Sequence, residues 1–115
     1  KRLDELSQAG KRFDCIVLDP PALVKSKRSL QKGEAAYERL NRLALKLLSP
    51  DSFLISCSCS FHVSRDRFWQ IISAAARKER REASIIEWRG QSRDHPVPVA
   101  MPEASYLKCA LLRVL

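Results

Sequence analysis

The chain has 115 residues, a net charge of +8 and 45% hydrophobic residues. This suits one domain with a core and excludes wholesale disorder. No apolar run approaches the ~20 residues that span a bilayer. Basic residues cluster at Lys25, Lys27, Arg28 and Lys32 and again from Arg77 to Arg81, a balance that points to a polyanion such as RNA or DNA.

Leu3 to Gly10 reads as the end of a helix, with Gly10 as its stop. The chain begins without methionine and has no apolar signal core, so the expectation is a piece of a longer protein. Phe13 to Leu18 (FDCIVL) is a nearly continuous apolar run, as in a central parallel strand. Val24 to Lys32 is polar and basic and reads as a loop. A helix is predicted from Gly33 to Leu48, with Tyr37, Leu40, Ala44 and Leu47 on its apolar face. Ser49-Pro50-Asp51 breaks it, and a strand starts at Ser52 and runs into Ser56-Cys57-Ser58-Cys59-Ser60. Ser64 is the expected N-cap of a helix reaching about Glu82, and the Arg77 to Arg81 run reads as its solvated end. Ser84 to Trp88 is a weaker strand, Gly90 to Pro102 a loop, and Tyr106 to Leu115 a last strand. Strands alternating with helices predict an α/β sheet with helices on both faces. The last strand follows a loop, so it is expected to insert antiparallel.

Two segments carry candidate chemistry. Asp19-Pro20-Pro21 directly follows a buried strand, where α/β sheets bind ligands. The prolines fix the backbone and remove two N–H donors, leaving carbonyls to face a ligand. Asp19 can accept a hydrogen bond from a base amino or ring N–H. The same segment is also what a stiff turn looks like. At the second strand end, Cys57 and Cys59 are spaced to share a face. A metal site would need more ligands than His62 adds, and Cys-x-x-Cys is absent. A nucleophilic cysteine at the mouth of a cleft and plain packing remain as readings. The four cysteines do not form a disulfide framework, which suggests a reducing cytoplasm.

The residues FDCIVLDPP (Phe13 to Pro21), SCS (Ser58 to Ser60) and the tail DHPV…PE..YLK (Asp94 to Lys108) together resemble the RNA cytosine-5 methyltransferases of large-subunit ribosomal RNA, the RlmI type. The resemblance covers nearly the whole chain. It implies a Rossmann-like sheet ending in an antiparallel strand, S-adenosylmethionine as cofactor and ribosomal RNA as partner. It makes residues 1–115 the C-terminal half of one catalytic domain, whose earlier strands, glycine-rich cofactor turn and small RNA-binding domain lie upstream. It implies Cys59 as nucleophile and Asp19 as the residue that holds the base. Asp19 and Pro20 are then expected at the cofactor, and Pro21, Lys25, Lys27, Ser58, Ser60 and His95 at the substrate. No metal and no membrane are expected, and the fragment alone should be inactive, with a possible homodimer through its unpaired edge.

There are departures. Ala22 stands where some relatives carry a second cysteine, so the proton-removing base is unidentified. No aromatic follows the two prolines, as amino-directed methyltransferases usually have. Another base position, or a non-catalytic RNA-binding module, are the alternative readings. Cys57 has no role beyond being a neighbour of Cys59. His62 reads as a loop residue, and His95-Pro96 as a loop clamp or an RNA contact. Glu103, Tyr106 and Lys108 match the family tail, while packing and salt bridging explain them as well.

Overall fold

The computed structural model describes residues 12–24, 26–60, 62–89 and 107–115. The helix end expected before Gly10, the loop from Gly90 to Pro102, Lys25 and His95 lie outside the described residues.

In chain order the elements are β1 (Phe13–Leu18), α1 (Leu30–Leu47), β2 (Leu48–Ser58), α2 (Arg65–Lys78), β3 (Ala83–Arg89) and β4 (Lys108–Val114). The sheet order is β1-β2-β4-β3. β1 and β2 are parallel, as a strand–helix–strand crossover requires. β4 lies antiparallel between β2 and β3, the placement expected of the last strand.

Side-chain alternation decides which face is covered. On one face of β2, Ser52, Leu54, Ser56 and Ser58 are buried, with Cys57 buried on the other; on β4 the buried positions are Lys108, Ala110, Leu112 and Val114. These oppose one another in register, Leu54 with Leu112 and Ser58 with Lys108. They share a core with Tyr37, Ala44 and Leu45 of α1 and Phe68, Ile71, Ile72 and Ala75 of α2. Burying each large side chain there contributes roughly 1.5–3 kcal/mol. Both described helices therefore cover the same face. On the other, Phe53 and Val17 remain exposed, Val17 to 64%. Among the described residues, no helix is long and apolar enough to cross a membrane.

Local chemistry moves several predicted boundaries. The basic stretch before Gly33 is not all loop: a 3-10 turn covers Lys27–Ser29 and α1 begins at Leu30. Ser29 Oγ accepts the Ser26 N–H at 3.2 Å and closes that turn. α1 then runs straight into β2. Pro50 has no N–H to give, and Asp51 has a φ of 59°, so the pairing with β1 jumps from Phe13–Leu48 to Cys15–Phe53. Regular pairing of β2 with β4 starts at Ser52, where the strand was predicted. Ser64 caps α2 as expected, its Oγ accepting from Arg67 N at 3.0 Å.

α2 stops at Lys78, short of the predicted Glu82. Arg80 takes a left-handed φ of 55°, and Arg81 N donates to Ala76 O at 2.9 Å, which closes the helix end. The arginine run is thus not simply a solvated helix end. Arg81 turns inward and donates to Leu45 O at 2.7 Å, Leu48 O at 2.9 Å, Ser49 O at 3.1 Å and Leu115 O at 3.0 Å. Leu45 O closes α1, where it also accepts the Leu48 N–H; Leu48 and Ser49 open β2, and Leu115 follows β4. Arg81→Met is expected to destabilise the fold by about 2–3 kcal/mol, since each hydrogen bond from a charged donor is worth ~1.5–3 kcal/mol and the four overlap. Arg81→Lys should recover less than half of this, because an ammonium cannot fork. Urea denaturation of the three proteins checks both values.

Candidate active site

The parallel pairing of β1 with β2 brings the two candidate segments to one sheet edge. Leu18, the last residue of β1, is in register with Ser56, two residues before the end of β2. Asp19-Pro20-Pro21 and Cys59-Ser60 therefore leave the sheet side by side. Asp19 and Pro21 are exposed, Pro20 is half-buried, and Cys59 is partly buried with a free thiol.

A buried polar cluster ties these two segments together. Ser60 Oγ lies 2.5 Å from Tyr37 Oη and accepts the Val24 N–H at 3.1 Å. Tyr37 Oη also accepts the Leu23 N–H at 3.3 Å. The end of the Asp19-to-Val24 loop is thus hydrogen-bonded both to α1 and to the turn carrying Cys59. Tyr37 is in turn held by Asn41, whose Nδ2 donates to Tyr37 O at 2.8 Å, and Asn41 Oδ1 accepts from Ser56 Oγ at 2.6 Å. Tyr37, Asn41, Ser56 and Ser60 are all at most 1% exposed. A satisfied network at that depth is stiff, because each lost partner leaves a buried polar group unpaired.

Gly33 allows the loop to come this close. A Cβ there would meet the Val24 side chain and stand 2.6 Å from Leu23 O. Glycine is needed at this helical position for space, whatever it costs in helix propensity.

Ser58 and Ser60 were expected at a substrate surface. The structure corrects that placement: both are 0% exposed, and their hydroxyls are engaged inside the chain. Ser58 Oγ accepts from Ser60 N at 3.3 Å. They shape the turn and do not line an open surface. Lys27 is exposed on the 3-10 turn after the loop, which leaves its ammonium accessible to an anion.

Cys57 and Cys59 do not work as neighbours. Cys57 opposes Cys109 across β2 and β4, with Cα atoms 4.1 Å apart and the two sulfurs close enough to bond. The spacing of 52 residues hid this pair, because only the insertion of β4 beside β2 creates it. Cys59 is left as the thiol of the turn, while Cys15 is exposed on β1.

Lys108 is the residue that the sequence undersold. It starts β4 on the buried side, is 8% exposed, and its Nζ donates to Ser60 O at 3.1 Å. Burial pushes the ammonium below its ordinary pKa, and the Cys59 charge works in the opposite direction. A signal was present in the chain: Lys108 takes an inward position in an alternation otherwise filled by Ala110, Leu112 and Val114. Tyr37 and Asn41 are similar, polar groups on an apolar helix face.

No protein-family model matches the chain. It is 40% identical over 113 residues, 98% of its length, to ribosomal RNA large subunit methyltransferase I of Aeromonas salmonicida. It is 38% identical over its full length to the protein of that name from Tolumonas auensis. The chain spans 28% and 29% of those relatives' own lengths. A crystal structure of a methyltransferase complexed with SAH superposes with a TM-score of 0.77, at 20% identity, covering 97% of this chain and 29% of that one. That likeness shows the Rossmann-like methyltransferase fold.

Proposed function

From a chain that matches ribosomal RNA large subunit methyltransferases I over nearly all its length, we infer a part of an S-adenosylmethionine-dependent enzyme that methylates carbon 5 of a cytosine in ribosomal RNA. The observation that carries the reading is the Tyr37–Ser60–Val24 clamp, which ties the end of the loop that follows the exposed Asp19 to the residue next to the free Cys59 thiol.

Each residue has a task that its chemistry suits. Carbon 5 of cytosine is too weak a nucleophile to take a methyl group unaided. The Cys59 thiolate adds to carbon 6 and forms an S–C bond, and the electron pair of the ring double bond moves to make carbon 5 an enamine carbon. Bound S-adenosylmethionine would supply the methyl group to carbon 5, its sulfur keeping the electron pair of the broken S–C bond; a base would then take the proton from carbon 5, and the thiolate would leave as the ring double bond returns. Asp19 accepts a hydrogen bond from the exocyclic amino group of the base and holds the ring in place. Pro21 packs beside the base, and the lysines Lys25 and Lys27 meet phosphates. The target base must turn out of any stack to reach Cys59.

The residues after β1 fit the edge of a cofactor site. Pro20 is half-buried and Pro21 exposed, neither has an N–H, and their carbonyls can accept from a ligand's amino group. Asp19 and Pro20 would hold S-adenosylmethionine here, which when bound supplies an electrophilic methyl group. The same reading makes these residues the C-terminal part of one catalytic domain. β1 is an edge strand. Upstream strands of the same protein would pair with that edge, upstream helices would cover the face that bears Val17 and Phe53, and a second copy would pair with the edge in the isolated piece. A reducing, cytoplasmic setting would keep Cys59 a thiol.

RNA carrying 5-fluorocytosine tests the reading. Fluorine replaces the proton that has to leave, so the enzyme stays attached to its substrate. The full-length protein is expected to form a denaturant-stable adduct that needs the methyl donor and maps to Cys59. Methylation of normal RNA with no adduct on the fluorinated one would overturn the reading and point to another base position.

A further inference from the structure

The chain has two tryptophans, and both line one open hollow between α2 and the end of β3. Trp69 stands on α2 and is 49% exposed. Trp88 is half-buried and packs edge-on against Phe68, with ring centroids 6.4 Å apart. Arg65, one helical turn before Trp69, lies over the Trp88 ring with its guanidinium carbon 4.9 Å from the centroid. Register places this hollow relative to the candidate site. Leu18, Ser56, Ala110 and Trp88 form one row across all four strands. Asp19 follows the first of them, and Cys59 closes the turn that follows the second. Trp88 therefore lies on the same side of the sheet as both, two strands from β2, or roughly 10 Å away. β3 is the edge opposite β1, so strands that join at β1 leave it on the outside.

Single exposed apolar groups are ordinary. Two tryptophans and an arginine in one hollow are a set of flat faces, and such faces accept the rings of unpaired bases whatever their sequence. We propose that the Arg65–Trp69–Trp88 hollow receives an unpaired nucleotide flanking the target cytosine, its base stacked on the Trp69 ring and its phosphate met by Arg65. The proposal rests on ribosomal RNA being the substrate. Charged groups on the elements here nearly cancel: Arg65 and Asp66 open α2, and Arg89 at the end of β3 pairs with Glu87. The ring faces therefore hold the base, while the chain's net charge of +8 draws in the strand as a whole. A base held here fixes the path of the strand past Cys59, on a part of the surface that touches no reacting atom.

The experiment is filter binding of deproteinised large-subunit ribosomal RNA to the full-length protein, with methyl transfer measured alongside. Trp69→Ala is expected to weaken binding by about five- to twentyfold, the scale of one lost stacking contact. The factor should be the same at about 50 and about 200 mM salt, because stacking releases no counterion. KM should rise by the same factor with kcat within about twofold, as loss of uniform binding requires. Trp69→Phe keeps a ring face and should recover most of the affinity. Arg65→Gln should weaken binding and lower the salt slope by about one. Equal affinity of Trp69→Ala and a parent that binds and methylates the RNA would overturn the proposal and leave the proposed function standing. A parent that binds no ribosomal RNA would remove both. Unchanged affinity in Trp69→Ala with lowered stability in urea would mean that another part of the same protein covers the hollow, which also overturns it. So would an equal loss in Trp69→Phe and Trp69→Ala, since a ring face would then not matter. Circular dichroism identifies an unfolded variant; if the alanine variant fails to fold, the salt slope of Arg65→Gln decides, and an unchanged slope and affinity would overturn the proposal.

Discussion

Cys59→Ala in the full-length protein is expected to abolish methyl transfer, by on the order of 10⁴-fold or more, as removal of a covalent nucleophile does elsewhere. The size follows from the chemistry. Without addition at carbon 6, the ring stays aromatic and carbon 5 has no electron pair to offer. The remaining residues can hold the base but cannot make it reactive. Stability should change little, within about 0.5 kcal/mol, because the side chain is small and only partly buried. Cys57→Ala gives the contrast. It is expected to keep most of the activity, since its sulfur faces Cys109 and not the turn. Radiolabelled methyl transfer to ribosomal RNA, with urea denaturation of each variant, measures both effects. Full activity in Cys59→Ala would remove the covalent mechanism.

Gly33→Ala is expected to cost about a hundredfold in methyl transfer, although the residue touches no reacting group. The added Cβ would stand 2.6 Å from Leu23 O, closer than carbon and oxygen tolerate, and Leu23 O is backbone. The loop ending at Val24 must then move, and with it Asp19 to Pro21. Misplacing a positioned group by ~1 Å costs on the order of 10²-fold. Two opposing terms decide the stability. Alanine gains about 1 kcal/mol of helix propensity over glycine. Overpacking costs ~1–3 kcal/mol, and here the Val24 and Leu23 amides bonded to Ser60 and Tyr37 are strained as well. The clash wins, and a net loss of roughly 1–2 kcal/mol is expected. A fully active, more stable Gly33→Ala protein would show that the close approach does not hold the loop.

The chain's own pattern was enough for its local parts. Phe13 to Leu18 reads as a strand because its apolar run is short and closed by Asp19-Pro20-Pro21. Tyr37 to Leu47 reads as one helix face because its spacing repeats every turn, and Ser64 reads as a cap because the bond it makes spans only three residues. The boundaries that moved were set by backbone bonds that composition does not show. The 3-10 turn at Lys27–Ser29 and the left-handed Arg80 are two such cases.

The sequence by itself determined that an acid-Pro-Pro strand end and a Ser-Cys-Ser strand end exist, and that right-handed, parallel crossing puts them on one edge. It also determined the insertion of a final strand in the opposite sense. The tertiary structure decided what lies against what. Placing β4 beside β2 sets Lys108 next to the Cys59 turn and Cys109 on Cys57. Folding α2 back along α1 brings Arg81 to the carbonyls of Leu45 and Leu48. The reason is physical: periodicity and capping act over a few residues, whereas a salt-like or hydrogen-bonded contact between residues dozens apart depends on strand order and register. Chain spacing encodes neither at the level of a single side chain.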